Sequence, residues 1–385
     1  MTTPSAPSAP SASSTADLQR PAYREISLYA PNREPCAVDL SDNTNLWGIP
    51  PEAERAVREA AAAVVTRYPA LYAAELKRAL AAYAGVAPEH VVTGCGSDDV
   101  LDSAMRAFGE PGDVVAYPDP SFAMVPIFAR MNALTPVAVR LTAAHDVDAD
   151  AMLATGARVI YLCSPNNPTG TSVSRAVIER VVAGAPGVVL LDEAYAEFAG
   201  VNHADLALGG GRVVVVRTLS KAFGLAGLRV GYALGAPALV AEVEKSRGPY
   251  KVSSIAERAA VAALTRDAAW VREHVALAVA LRERLTAELA AMGLAPLPSA
   301  ANFVLVPVPG APAIAQAMRA RGVAVRPFAG LPGVGDALRI SIGPWALLER
   351  CLEELRRALG QALGRPLEGT ARVGEPAGGP PPLPA

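Results

Sequence analysis

The sequence predicts an α/β protein built on a mainly parallel sheet between helices, with a second, smaller α+β domain towards the C-terminus. Three observations predict it. The β-branched run Arg212-Val213-Val214-Val215-Val216-Arg217 is apolar without alternation, as in strands covered on both faces of a parallel sheet. Helix-periodic segments fall between such runs, which is the alternation of βαβ units. The chain has 385 residues, more than a single hydrophobic core usually holds, so it should divide.

Composition narrows the chemistry. With 35 Lys+Arg against 37 Asp+Glu and a net charge of -2, the chain has no overall basic field for nucleic acid or anionic lipid, so small-molecule partners are favoured. The cysteines Cys36, Cys95, Cys163 and Cys351 have no paired spacing, so neither a disulfide framework nor a zinc site is expected. The histidines His90, His145, His203 and His274 fall outside every motif below, so no metal site or His-based triad is expected. The start, Met1-Thr2-Thr3-Pro4-Ser5-Ala6-Pro7, lacks a basic region and an apolar core, and no later stretch is apolar enough to span a bilayer. A soluble, cytoplasmic protein is expected.

Taken in order, residues 1–20 are mostly Ala, Ser, Thr and Pro, and residues 364–385 are rich in Pro and Gly; both are expected to be disordered tails. Residues 21–50, broken by Pro and Asn, read as an irregular arm. A large domain over 51–250 and a small one over 251–363 should follow. Helices are predicted over Pro51–Ala63, with Pro at the first position, where a missing N–H costs little, and over Tyr72–Tyr83, with Arg67-Tyr68-Pro69 between them. Val91-Val92-Thr93-Gly94-Cys95-Gly96-Ser97-Asp98-Asp99-Val100 reads as strand, glycine turn and the start of a helix towards Phe108, a junction that aims N–H groups at an anion. Asp99 stands where a dinucleotide fingerprint has its third glycine, and the P-loop lysine is missing. The strand Asp113–Tyr117 runs into Pro118-Asp119-Pro120-Ser121-Phe122, and Ala157–Cys163 into Ser164-Pro165-Asn166-Asn167-Pro168-Thr169-Gly170. Gly187–Leu191 ends in Asp192-Glu193-Ala194-Tyr195, and the valine run in Thr218-Leu219-Ser220-Lys221, with Arg229 following. The strand to Leu234 closes the large domain, followed by a helix from Pro237 to Ser246. A long helix, roughly Arg266 to Met292, links to strands led by Ser299–Phe303, Gly322–Arg326 and Leu338–Gly343.

Each of these polar motifs follows a strand, so all can converge at the carboxyl edge of one sheet, where open α/β sheets bind ligands. Lys221 reads as a Schiff-base lysine. Thr218, Ser220 and Arg229 add two hydroxyls and a guanidinium suited to a phosphate. Together they describe a phosphorylated aldehyde, and pyridoxal 5'-phosphate (PLP) is that aldehyde. Asp192 can keep a pyridine nitrogen protonated, while Asn167 and Tyr195 can hydrogen-bond the ring's phenolate oxygen. Glu193 lies outside this set and is expected to be structural. The bland alternative is a series of polar turns after buried strands.

The ordered motifs closely resemble the fold-type I PLP-dependent aminotransferases, above all the histidinol-phosphate aminotransferase branch, and run through nearly all of the chain between the tails. The resemblance implies a large domain with a seven-stranded sheet, and an arm over the active site. It also implies that Ser97 and Asp98 cradle the cofactor phosphate, that Phe122 stacks on the pyridine ring, and that Tyr68 crosses a homodimer interface to the partner's cofactor phosphate. Tyr29 and Arg326 would help bind a substrate phosphate, and Arg339 would grip the anionic end of the substrate. Lys221 would hold the cofactor and then, as the freed amine, move the substrate proton. L-histidinol phosphate and 2-oxoglutarate are the implied substrates. The chain departs from the family pattern at Asn43-Thr44-Asn45-Leu46, where many members have Asn-Glu-Asn-Pro, and at Lys251, where relatives often have Asn. Three alternatives share the cofactor residues: an aromatic amino-acid aminotransferase, which would differ around Tyr29, Arg326 and Lys251; a PLP-dependent decarboxylase of a phosphorylated amino acid; and a catalytically silent PLP-binding protein.

Overall fold

The computed structural model describes residues 18–28, 34–209 and 211–363. Tyr29, most of the expected N-terminal tail and all of the expected C-terminal tail lie outside the described residues. In chain order, β1 (Val38–Asp39), α1 (Pro51–Val64) and α2 (Ala74–Ala84) lead into β2 (Val91–Cys95), α3 (Gly96–Phe108), β3 (Val114–Asp119), α4 (Val125–Met131) and β4 (Thr135–Arg140). Then come α5 (Ala149–Ala154), β5 (Val159–Cys163), α6 (Arg175–Gly184), β6 (Val188–Asp192), the short α7 (Ala196–Ala199) and α8 (Ala204–Leu208), β7 (Val213–Thr218) and β8 (Val230–Leu234). The remainder is α9 (Pro237–Arg247), α10 (Ser254–Thr265), α11 (Ala268–Ala291), β9 (Phe303–Pro307), α12 (Ala311–Arg319), β10 (Val323–Ala324), β11 (Arg326–Leu331), β12 (Gly335–Ser341) and α13 (Trp345–Leu363).

The strands β2 to β8 form one seven-stranded sheet in the order β2-β8-β7-β6-β5-β3-β4. All its neighbours are parallel except β8, which runs antiparallel to both β2 and β7. Because successive strand residues point to opposite faces, the apolar runs supply two cores at once. Ile160, Leu162, Val189, Leu191, Val213 and Val215 pack into one cluster. Their neighbours Val159, Tyr161, Val188, Leu190, Val214 and Val216 pack into another on the opposite face. A sheet clothed on both sides leaves the carboxyl ends of its parallel strands as the place for a polar site.

The smaller body is built on the antiparallel sheet β11-β12-β9, against which α12 packs, with α13 in turn against α12. The 24 residues of α11 give a rod of about 36 Å that reaches from one body to the other. Two connections differ from the sequence expectation. Helix α10, placed by the sequence in the small domain, packs on α1 and α2 of the larger body, where its buried Ala256, Ala259, Ala260 and Ala263 allow close helix approach. The arm also contributes to the small body, since β1 pairs in parallel with β10. Among the described residues no helix is long and apolar enough to cross a membrane, and no group of three His, Cys, Asp or Glu side chains is placed to hold a metal ion.

Candidate active site

Strand parity sets the centre of the site. Asp192 is the last residue of β6 and shares the face of Val188 and Leu190, so its carboxylate turns towards Tyr161 of the adjacent β5. The Tyr161 hydroxyl donates to Asp192 Oδ2 at 2.8 Å, and the Ala194 amide donates to Oδ1 at 3.0 Å. Burial pushes the Asp192 carboxyl up to about 6, against the pull of these two donors. It therefore stays largely ionised near neutrality while remaining basic enough to hold a protonated ring nitrogen.

Lys221 follows β7 by three residues and reaches back over the sheet edge. Its ammonium donates to the carbonyl of Asp42 at 3.4 Å and lies 5.9 Å from the Tyr195 ring centre. Burial, reinforced by the Arg339 charge, brings it down to about 8, so a useful fraction is neutral amine at physiological pH. Beside it the Thr218 hydroxyl donates to Ser220 Oγ at 2.9 Å and accepts the Ser220 amide at 3.1 Å. Across from this hydroxyl pair the first turn of α3 opens at Gly96, whose φ of +81° is easy only for glycine. A Cβ on Gly231 of β8 would overlap the backbone of Gly96 and Ser97, so that glycine lets the helix start sit directly on the sheet. First-turn N–H groups have no intrahelical acceptor, which makes Ser97 and Asp98 anion donors through their backbone. The Asp98 carboxylate pairs with Arg229 Nη2 at 3.3 Å and so holds the guanidinium at the rim.

The small body and the arm complete the wall. Arg326 and Arg339 are direct cross-strand partners on β11 and β12, so their side chains share one face of that sheet. Arg339 donates from Nη1 to Asn167 Oδ1 at 2.6 Å and from Nη2 to the Ser41 carbonyl at 2.7 Å. The Asn43 amide donates to the Tyr195 hydroxyl at 3.2 Å. Burial raises the Tyr195 phenol, with the Arg339 charge and the Asn43 hydrogen bond pulling the other way, so the phenol keeps its proton at neutral pH.

The resulting cleft has a volume of about 590 Å³. Lining it together are Ser97, Asp98, Phe122, Asn167, Asp192, Tyr195, Thr218, Ser220, Lys221, Arg229, Arg326 and Arg339. Tyr68 is not brought to this cleft: it is 83% exposed and stacks on Tyr250 at 5.0 Å. Four further residues came unassigned from the sequence: Asp42, Asn43, Tyr161 and Cys163. Tyr161 carried a usable signal, being two residues before the end of a buried strand, on the parity that faces its neighbour's terminal carboxylate. Of the departures from the family pattern, Thr44 lines the cleft, Leu46 covers Gly343, and Lys251 pairs with Asp99 at 2.9 Å.

The donor set fits PLP. A buried carboxylate, a lysine of lowered pKa, and an anion cradle of hydroxyls, helix N–H groups and a guanidinium stand around one cleft, and Phe122 offers it an aromatic side chain. The aminotransferase class I and II family profile matches residues 36–355. A histidinol-phosphate aminotransferase of Thermoanaerobacter pseudethanolicus is 34% identical over 332 residues, covering 85% of this chain and 94% of that one. An aromatic amino acid aminotransferase of Rhodococcus jostii is 38% identical over 327 residues, 83% and 89% of the two chains. Among solved structures, histidinol-phosphate aminotransferase from Sinorhizobium meliloti in complex with pyridoxal-5'-phosphate superposes with a TM-score of 0.80 at 27% identity, covering 89% of this chain and 97% of that one.

Proposed function

This chain belongs to the aminotransferase class I and II family and is a PLP-dependent transaminase; from that premise we propose that its amino donor is L-histidinol phosphate and its acceptor 2-oxoglutarate. The observation that carries this reading is the facing pair Arg326 and Arg339 on adjacent strands at the cleft. Two guanidiniums on one sheet face suit a substrate pair that brings a phosphate in one half-reaction and carboxylates in the other.

Bound in the cleft, PLP supplies an electron sink that stabilises negative charge at the donor's amino-bearing carbon. The chain's own residues do the rest. Asp192, as a carboxylate, would hold the ring nitrogen and keep the sink charged. Lys221 Nζ, with its lowered pKa, would take the proton from the donor's amino-bearing carbon and serve as its carrier within the cleft. Asn167 and Tyr195 would hold the ring's phenolic oxygen, and Thr218, Ser220, Arg229 and the start of α3 would hold the phosphate. Arg339, fixed by Asn167 and Ser41, is oriented to take a carboxylate.

A second reading, an aromatic amino-acid aminotransferase, is favoured by the relatives so named at similar identity. The two separate on Arg326. If histidinol phosphate is the donor, Arg326→Gln should lower kcat/KM for it by roughly ten- to a hundredfold and leave phosphate-free donors little changed. Wild-type preference for phenylalanine or tyrosine would transfer the assignment to the aromatic class. We also read the enzyme as a homodimer: Tyr68, Leu71, Tyr72 and Tyr250 form an exposed apolar group of the kind that marks protein interfaces. Sedimentation of the wild type at twice the chain mass, with Tyr68→Asp shifted to the monomer, is the expected result. The four unpaired cysteines support a reducing, cytoplasmic location.

A further inference from the structure

The arm residue Asn43 is 1% exposed and sits at φ +55°, a left-handed conformation that among ordinary residues Asn and Asp tolerate best. Each of its polar atoms has a partner. Its backbone N–H donates to Ser341 Oγ at 2.8 Å, and its carbonyl accepts from Asn302 Nδ2 at 3.0 Å. The Ser341 hydroxyl, having accepted that N–H, turns its one proton to Asn43 Oδ1 at 3.1 Å. The opposite side-chain orientation would leave that hydroxyl facing the amide's own donors, so the network assigns Nδ2 to the Tyr195 side, where it donates to the phenol at 3.2 Å.

A phenol has one proton and can accept as well as donate. We propose that Asn43 is a positioning residue that decides where the Tyr195 proton points: by donating to the phenol oxygen it commits the proton to an acceptor on the cleft side. Ser341 lies two residues from Arg339 on β12, so the sheet that orients Arg339 also orients Asn43. The inference rests on the reading of Tyr195 as the residue that faces the cofactor's ring oxygen, and it extends that reading to a side chain 152 positions away. The other ionisable groups around the phenol are Asp192, Cys163 and Arg339, with the Lys221 ammonium over its ring.

Asn43→Asp keeps the shape and the backbone tolerance but turns the donor into an acceptor that claims the phenolic proton. Asn43→Gly, also tolerated at this φ, removes the donor without adding charge. The readout is the pH at which the visible absorbance of the PLP-loaded enzyme titrates, with apoprotein melting as the check on folding. A donor withdraws electron density from the ring oxygen, so losing it raises the pH at which the chromophore gives up its proton. Asn43→Asp should move the midpoint up by about one pH unit, Asn43→Gly in the same direction by less, and Tyr195→Phe upward as well. In the Tyr195→Phe background the Asn43→Asp shift should fall by more than half. A shift that keeps over half its size there, or an Asn43→Gly midpoint equal to wild type, overturns the role of Asn43. A Tyr195→Phe midpoint equal to wild type overturns the reading of Tyr195 and the inference with it.

Discussion

Asp192 and Glu193 are neighbours in the chain, yet at the end of β6 their side chains part and meet different company. Asp192 receives only neutral donors, a phenol and an amide, and faces the cleft. Glu193 is 0% exposed and is surrounded. Its Oε2 accepts Arg217 Nε at 2.8 Å and Nη2 at 2.6 Å, its Oε1 takes the His203 backbone N–H at 3.1 Å and lies 2.6 Å from His203 Nδ1, and Arg217 is further held by Asn202. A carboxylate out of water needs a counter-charge. At Glu193 the protein provides it and the group becomes part of the scaffold. At Asp192 the protein provides hydrogen bonds without a cation, and the charge is left to act on a ligand.

The largest effect should come from dismantling the scaffold pair. Glu193→Ala strands a buried Arg217 charge and should cost roughly 3–5 kcal/mol of apoprotein stability, read by denaturant unfolding. The paired replacement Glu193→Leu with Arg217→Met should recover most of that loss and keep kcat within a few-fold. A double variant that folds well but has lost turnover would blur the division, giving Glu193 a share in the chemistry.

Next comes the pH dependence contributed by Asp192. Its folded-state value near 6 lies above the usual carboxylate value, so the folded apoprotein holds this proton more tightly than the unfolded chain. The stabilisation is complete below the usual range and is lost as the pH rises through about 6. From about pH 4 to pH 7 this group alone should remove roughly 2 kcal/mol, and Asp192→Asn should flatten that limb while abolishing most turnover. An unchanged profile in Asp192→Asn would mean that the carboxylate is better solvated than the structure implies.

The smallest effect belongs to a third carboxylate between these extremes. Asp99 pairs with Lys251 at the surface, where such pairs contribute little. Lys251→Asn, the residue that relatives often carry, should change apoprotein stability by no more than about 0.5 kcal/mol. A larger loss, read by thermal melting of the apoprotein, would show the pair to be shielded from solvent.

What was legible in the sequence follows from the same division. Asp192 closes an apolar run, and Asn167 and Lys221 follow one within a few residues; a buried strand announces its own end, so their position at the sheet edge could be read without knowing the strand order. The valine run showed a covered strand, but the antiparallel course of β8 depends on pairings between distant segments. Asn43 reaches Tyr195 across 152 residues, a contact that no local pattern encodes. Helix α2 begins at Ala74 rather than Tyr72 because Ala73 adopts a left-handed φ of +47°, which no propensity predicts for alanine. β4 carries Pro136, which a strand accommodates at a sheet edge, and β4 is an edge strand. Helix α13 was there to be read in the spacing of Leu348, Leu352, Leu355 and Leu359. Tyr68, assigned by resemblance alone, is the one described site residue that the single chain leaves outside the cleft.

The arm's bonds to β12 bear on how the protein is made. Ser41 is held by Arg339 and Asn43 by Ser341, each across 298 residues. At about 5–20 residues per second on the ribosome, the arm emerges roughly 15–60 seconds before the strand that receives it. During that interval the large body can fold around Asp192 and Lys221, but the wall that carries Arg339 and orients Asn43 does not yet exist. Catalytic competence is therefore a late event in synthesis, reached only when β12 meets the arm.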